Sequence, residues 1–66
     1  MIFDKRWRLQ RAERILAGRK AKLAATRELW DLCETTVPGR IVMNMGDLPR
    51  EIAELEMRVA QLKGDA

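Results

Sequence analysis

The sequence contains no histidine, no tyrosine and only one cysteine, Cys33. Histidine is the commonest general base in enzymes, and a lone thiol can form neither an intramolecular disulfide nor, without histidine, a zinc site. Motifs for nucleotide or calcium binding are also missing. At a helical position Cys33 is typical of a small buried apolar residue. We therefore expect a protein that is not an enzyme and that has no catalytic residues, no cofactor and no metal.

Long hydrophobic runs are missing as well. The N-terminus, MIFDKRWR, has basic residues but no apolar segment behind them, so it is neither a secretory signal nor a membrane span. A single unpaired thiol fits a reducing compartment. The cytoplasm is the expected location.

The chain is also short for a globular protein, at 66 residues. A monomer of this size buries only about 60% of the surface that its unfolded chain exposes. Small proteins compensate with disulfides, metals or partner subunits, and the composition excludes the first two. We therefore expect a homo-oligomer or a protein partner.

Charge is distributed unevenly along the chain. Residues 1–22 hold eight bases against two acids, a net charge of +6, whereas residues 23–66 hold five against eight, a net charge of −3. Five of the eight bases are arginines, which favour bidentate contacts with phosphate or carboxylate. The alternative is an ordinary solvated helix face. The candidates for binding nucleic acid or an acidic partner are Lys5, Arg6, Arg8, Arg11, Arg14, Arg19, Lys20 and Lys22.

Residues 4–34 predict one long helix, because they contain no proline and are dominated by good helix formers. Asp4 is a plausible N-cap. Apolar residues at steps of three, four and seven form one broad stripe, interrupted by Arg19 and Thr26. The residues of this stripe are Leu9, Ala12, Leu16, Leu23, Trp30 and Cys33.

Three other large apolar residues, Trp7, Leu29 and Leu32, fall on a different side of an ideal helix. Two explanations are open. The helix carries a second contact surface for a partner, or it breaks near Gly18 into two helices of different phase. The continuous helix is favoured, because an internal glycine costs only about 1 kcal/mol.

Residues 35–46 change the pattern, with β-branched side chains around Pro38 and Gly39. Pro-Gly is typical of a type II turn. This connection is interpreted as either a brief hairpin, with residues 35–37 paired to 40–43, or an extended loop.

A second helix is predicted over residues 47–63, with Asp47 as its cap and Pro49 in its first turn. The two helices should form an antiparallel helical hairpin, a single small all-α domain in which the second helix packs on the end of the first and leaves its basic first four turns uncovered. The predicted helix-pair seam consists of Leu16, Leu23, Trp30, Leu48, Ile52, Leu55, Val59 and Leu62.

Trp7 lies within the basic cluster. It is interpreted as a packed residue on the core or a neighbouring subunit, or as an interface anchor, a role for which tryptophan and arginine are enriched. A membrane surface fits poorly, because the helix lacks a wide, uninterrupted apolar face.

The run LAATRELWDLCETTVPGRIVMNMGDLPREIAELEMRV, residues 23–59, resembles the small head-completion proteins of tailed bacteriophages related to the lambda head-tail joining protein W. The features that match are the alanine-rich helix of residues 23–34, the β-branched turn region and the closing helix. The resemblance implies a helix, a short hairpin and a second helix, in a virion protein bound as a ring at the portal near packaged DNA. No functional residue is carried over from it.

These observations predict a non-enzymatic interaction or structural protein that docks on a larger assembly or self-associates, with a phage head-tail connector component as one concrete form. The alternative is a small nucleic-acid-binding regulator that uses the basic helix directly.

Overall fold

The computed structural model describes residues 5–64, which form an antiparallel hairpin of two helices. Helix α1 spans Lys5–Leu32 and helix α2 spans Gly39–Gly64. At 1.5 Å per residue they are about 42 and 39 Å long. The predicted hairpin of a long first helix and a shorter second one is confirmed, although the two lengths differ by only two residues. The proposed cap Asp4 lies outside the described residues.

Helix α1 continues without interruption through Gly18. Its phase is therefore the same from end to end, and the alternative of a break at this glycine is wrong. The helix ends at Leu32, slightly before the predicted boundary, where Cys33 donates two hydrogen bonds to carbonyls of the last turns. Its amide bonds the oxygen of Trp30 at 3.1 Å and its thiol bonds that of Leu29 at 3.2 Å. Cys33 is half-buried and helps to terminate the helix.

The connection between the helices is half as long as predicted, because α2 begins at Gly39 rather than near residue 47. The amides of Ile41 and Val42 donate to the carbonyl of Pro38, at 3.0 and 3.2 Å, so Pro38 acts as the N-cap. No glycine between residues 5 and 64 has positive φ, so the type II turn is not formed. Ile41 and Val42 lie in α2, where helix formation pairs their backbone groups, whereas the β-branched residues 35–37 lie in the connection.

The predicted cap of α2 is also corrected. Asp47 lies inside α2, where its Oδ1 accepts from Arg50 Nη2 at 3.2 Å. Pro49 is likewise internal rather than in the first turn. It has no amide hydrogen to donate to the carbonyl of Met45, so the helix lacks one backbone hydrogen bond at this point.

The register of the hairpin follows from two ion pairs across the helices. Arg19 Nε lies 3.3 Å from Glu51 Oε2, and Lys63 Nζ lies 4.0 Å from Glu13 Oε1. Since residues 39–46 are helical, the rest of α2 is shifted about two turns further along α1 than predicted. Helix α2 therefore reaches the basic first turns of α1, where Ala12 is buried, contrary to the prediction, although the basic side chains of these turns stay exposed.

The core is thin. Leu48, Ile52 and Val59 of the predicted seam are buried, while Leu16, Leu23, Leu55 and Leu62 are half-buried and Trp30 retains 37% exposure. On α1 the buried residues are Ala12 and Thr26. The Thr26 hydroxyl donates to the Lys22 carbonyl at 2.7 Å, which explains how a polar residue occupies the apolar stripe.

Candidate interaction face

A groove at the open end of the hairpin, opposite the connection, combines apolar walls with three arginines. It encloses about 340 Å³, and we call it the arginine groove. Arg8 and Arg11 come from α1 and Arg58 comes from α2, and no acidic residue lines it. Its lining residues are Trp7, Arg8, Arg11, Ala12, Ile15, Leu55, Arg58 and Leu62. The groove therefore suits an apolar group that carries negative charge beside it.

Trp7 and Arg11 form a cation–π contact in this groove. The guanidinium carbon of Arg11 lies 5.5 Å from the indole centroid. One turn of helix separates the two residues, so α1 itself sets their spacing. The Trp7 side chain remains 38% exposed. An aromatic ring held in this way presents a large contact area at little entropic cost, as interface anchors do.

A second groove continues the first toward the middle of the hairpin. It encloses about 260 Å³ and shares Ile15, Leu55 and Arg58 with the arginine groove. Its other lining residues are Arg19, Glu51 and Glu54, so its charge is mixed. The two grooves run side by side along the same side of the helix pair and form one face.

Helix α1 carries a second stripe on this face, at steps of three and four residues. We call it the lateral stripe, and it consists of Trp7, Arg11, Ile15, Gly18, Lys22, Ala25, Leu29 and Leu32. At 100° per residue it is centred about a third of a turn from the seam. Leu29 is 51% exposed and Leu32 is 76% exposed. Since α1 is continuous, these residues share a surface with Trp7 that α2 does not cover.

The predicted basic set is divided by the fold. Arg8 and Arg11 line the arginine groove, and Arg19 lines the second groove in its ion pair with Glu51. The remaining members are exposed and line neither groove. These are Lys5, Arg6, Arg14, Lys20 and Lys22. Three of the eight bases therefore line the grooves and five do not.

Arg58 and Ile15 are site residues that sequence reasoning missed. In the sequence Arg58 is spaced four residues from Glu54, as an ordinary surface pair on α2 would be. Its position in the same groove as Arg8 and Arg11 depends on the register of the hairpin. The predicted start of α2 was eight residues too late, so the predicted register was wrong as well. Ile15 belongs to the lateral stripe, and the spacing of that stripe is the signal that would have found it.

Among residues 5–64, no group of three or more His, Cys, Asp or Glu side chains could hold a metal ion. Neither helix has a stretch both long and apolar enough to cross a bilayer. Comparison with protein-family models, with curated proteins and with solved structures gives no match.

Proposed function

We propose that this chain is a non-enzymatic interaction protein that docks on a larger assembly or self-associates through the lateral stripe and the arginine groove. The observation that carries the proposal is the unbroken α1. It supports a second contact surface, because Trp7, Leu29 and Leu32 lie off the seam of one continuous helix.

The exposed apolar area on this face supports the proposal. Covering a leucine side chain contributes about 1.5–3 kcal/mol relative to leaving it in water. Leu29 and Leu32 are both more than half exposed, and the arginine groove adds Trp7 with three arginines, the residue types most enriched at interface hot spots. A partner on this face would thus gain both apolar burial and specific contacts.

Site-specific photo-cross-linking tests the proposal. A photoreactive residue at position 15 or 29 should give a covalent adduct in the cells that produce the protein. The same residue at position 57 should not, because Met57 is 65% exposed but lines neither groove. Equal labelling from positions 15, 29 and 57, or none from 15 and 29, would contradict docking through this face.

A structural subunit of a phage particle is one concrete form of this function, suggested by the resemblance of residues 23–59 to head-completion proteins. The described connection, residues 33–38, contains no strand, so that part of the expected helix–hairpin–helix arrangement is not formed. Adjacent portal, terminase and tail genes, and recovery of the chain in purified particles, would support this form. Its absence from particles of the same phage would exclude it.

A nucleic-acid-binding regulator is the second candidate, favoured by the convergence of three arginines and Trp7 on a groove that no acid lines. Such a site could take a phosphate beside a stacked base. Changing Arg8, Arg11 and Arg58 to Glu should then abolish retention in a salt-titrated shift assay. The matched control changes Arg6, Lys20 and Arg27 to Glu, which alters net charge equally on another side of α1. Equal loss in both variants would indicate only a nonspecific charge effect.

A further inference from the structure

The lateral stripe is nearly symmetric about Gly18. Trp7 and Leu29 each lie eleven residues from Gly18, and Arg11 and Ala25 each lie seven residues from it. Gly18 is also at the centre of α1, which spans Lys5–Leu32. A two-fold axis through Gly18 would therefore bring Trp7 of one chain opposite Leu29 of another, twice. An isologous contact between two copies requires this kind of self-complementary surface.

The surface at Gly18 allows close approach. A Cβ built on this glycine meets nothing within 4 Å, so the position is open. With no side chain there, the backbones of two α1 helices can come nearer to each other than at any bulkier residue. The larger residues of the stripe, Trp7 and Leu29, lie about 16 Å to either side along the helix.

Charge selects how a second copy would be oriented. The open half of the hairpin, residues 5–19 with 51–64, holds eight bases and four acids, a net charge of +4. The half that includes the connection, residues 20–50, holds five bases and four acids, a net charge of +1. Pairing like ends would bring six arginines of two arginine grooves together. Pairing opposite ends separates them and places each groove over the less basic half.

The exposed area is sufficient for such a contact. The chain exposes 5498 Å². A compact monomer of this mass would expose about 4,300 Å² by the area–mass relation, so the excess is about 1,200 Å². A standard interface covers about 800 Å² on each partner. One additional protein surface along the hairpin could therefore remove most of the excess.

We propose that the occupant of this face is a second copy of the same chain, bound antiparallel about a two-fold axis near Gly18 to give a four-helix bundle. This inference rests on the proposed function and identifies the partner that binds the face. In the dimer, α1 packs against α1 of the other copy. Trp7 and the arginine groove of each copy cover Leu29 of the other, which is the largest exposed apolar pair that the symmetry brings together.

Sedimentation equilibrium of the full chain tests the dimer. The wild type should dimerise at micromolar concentrations, and Leu29→Arg should weaken association by about a hundredfold, since the symmetry places the change in the interface twice. The control, Met57→Arg, adds the same charge at an exposed apolar residue outside both grooves and should leave association within about twofold. If Leu29→Arg loses helicity by circular dichroism, Leu32→Arg at a 76% exposed side chain replaces it.

The orientation is tested by a distance between spin labels on Thr36→Cys, in a chain that also carries Cys33→Ser. Antiparallel copies should place the two labels on the order of 40 Å apart, because they lie at opposite ends of the bundle. A distance of about 20 Å or less would show that like ends are paired and would overturn the arrangement.

Other outcomes separate this inference from the proposed function. A wild type that stays monomeric at hundreds of micromolar overturns self-pairing. If positions 15 and 29 still cross-link to a different protein, docking through the face stands and only the identity of the occupant is wrong. Salt-sensitive retention of nucleic acid by the same face, lost in the arginine-groove variant alone, would overturn self-pairing in favour of a nucleic-acid partner.

Discussion

Arg19 of α1 and Glu51 of α2 lie 3.3 Å apart across the hairpin, near the centre of α1. Both side chains are 46% exposed. This pair marks the register that places Arg58 and Leu62 of α2 in the same groove as Trp7 and Arg8 of α1. The residues that make up the proposed face therefore depend on how the two helices are aligned.

The ion pair should contribute little to stability. A double-mutant cycle with Arg19→Gln and Glu51→Gln should give a coupling of about 0.2–1 kcal/mol, because solvent screens a half-exposed pair. Chemical denaturation at low and high salt would measure it. A coupling above about 2 kcal/mol, or one independent of salt, would contradict this interpretation.

Replacing Pro49 should stabilise the protein. Pro49→Ala restores an amide donor toward the Met45 carbonyl inside α2, and should raise the free energy of unfolding by about 1–3 kcal/mol. Gln61→Ala, at an exposed site of the same helix that already has its amide, should change stability by less than about 0.5 kcal/mol. Destabilisation by Pro49→Ala would mean that the segment is not a regular helix in solution.

Two glycines inside helices provide a paired test. Gly18→Ala and Gly46→Ala both add a methyl group where nothing lies within 4 Å. Each should raise stability by about 1 kcal/mol at dilution, where the chain is monomeric. Only Gly18→Ala should also weaken association, because the added methyl groups meet near the axis. Destabilisation by Gly18→Ala in dilute solution would argue against a continuous, open α1 at this point.

Thr26 should tolerate loss of its hydroxyl. In Thr26→Val a lost hydrogen bond to the Lys22 carbonyl costs about 1 kcal/mol, and the buried methyl group that replaces it contributes about 0.8 kcal/mol. The net change in unfolding free energy should be under about 0.5 kcal/mol by thermal denaturation. Thr26→Asp, which buries a charge at the same site, should be strongly destabilising. Similar effects for both would show that Thr26 is solvated.

Much of the fold could be predicted from periodicity. The spacing of Leu48, Ile52 and Val59 identifies a buried face of α2, and good helix formers on both sides of Gly18 predict a continuous α1. Both features are local, since they depend on residues within one helix. The predicted start of α2 was wrong, because Pro38-Gly39 fits a turn as well as a helix start and because β-branched residues follow it.

The candidate site was harder to predict, because it depends on contacts between the helices. Trp7, Arg8 and Arg11 are among the candidates that composition and spacing predict. Arg58 could not be placed beside them without the register, which is determined by where the connection ends. The prediction placed residues 39–46 in the connection, so the predicted α2 stopped about two turns short of its actual position along α1. The basic turns of α1 were therefore wrongly expected to lie beyond the end of α2.

Association through the lateral stripe should be visible in methyl and indole NMR signals recorded over a range of protein concentrations, because each signal reports on one named side chain. The indole of Trp7 and the methyl groups of Ile15 and Leu29 should shift or broaden as concentration rises, while the methyl group of Met57 should not. Changes confined to Met57, with Trp7 and Leu29 unaffected, would contradict association through the lateral stripe.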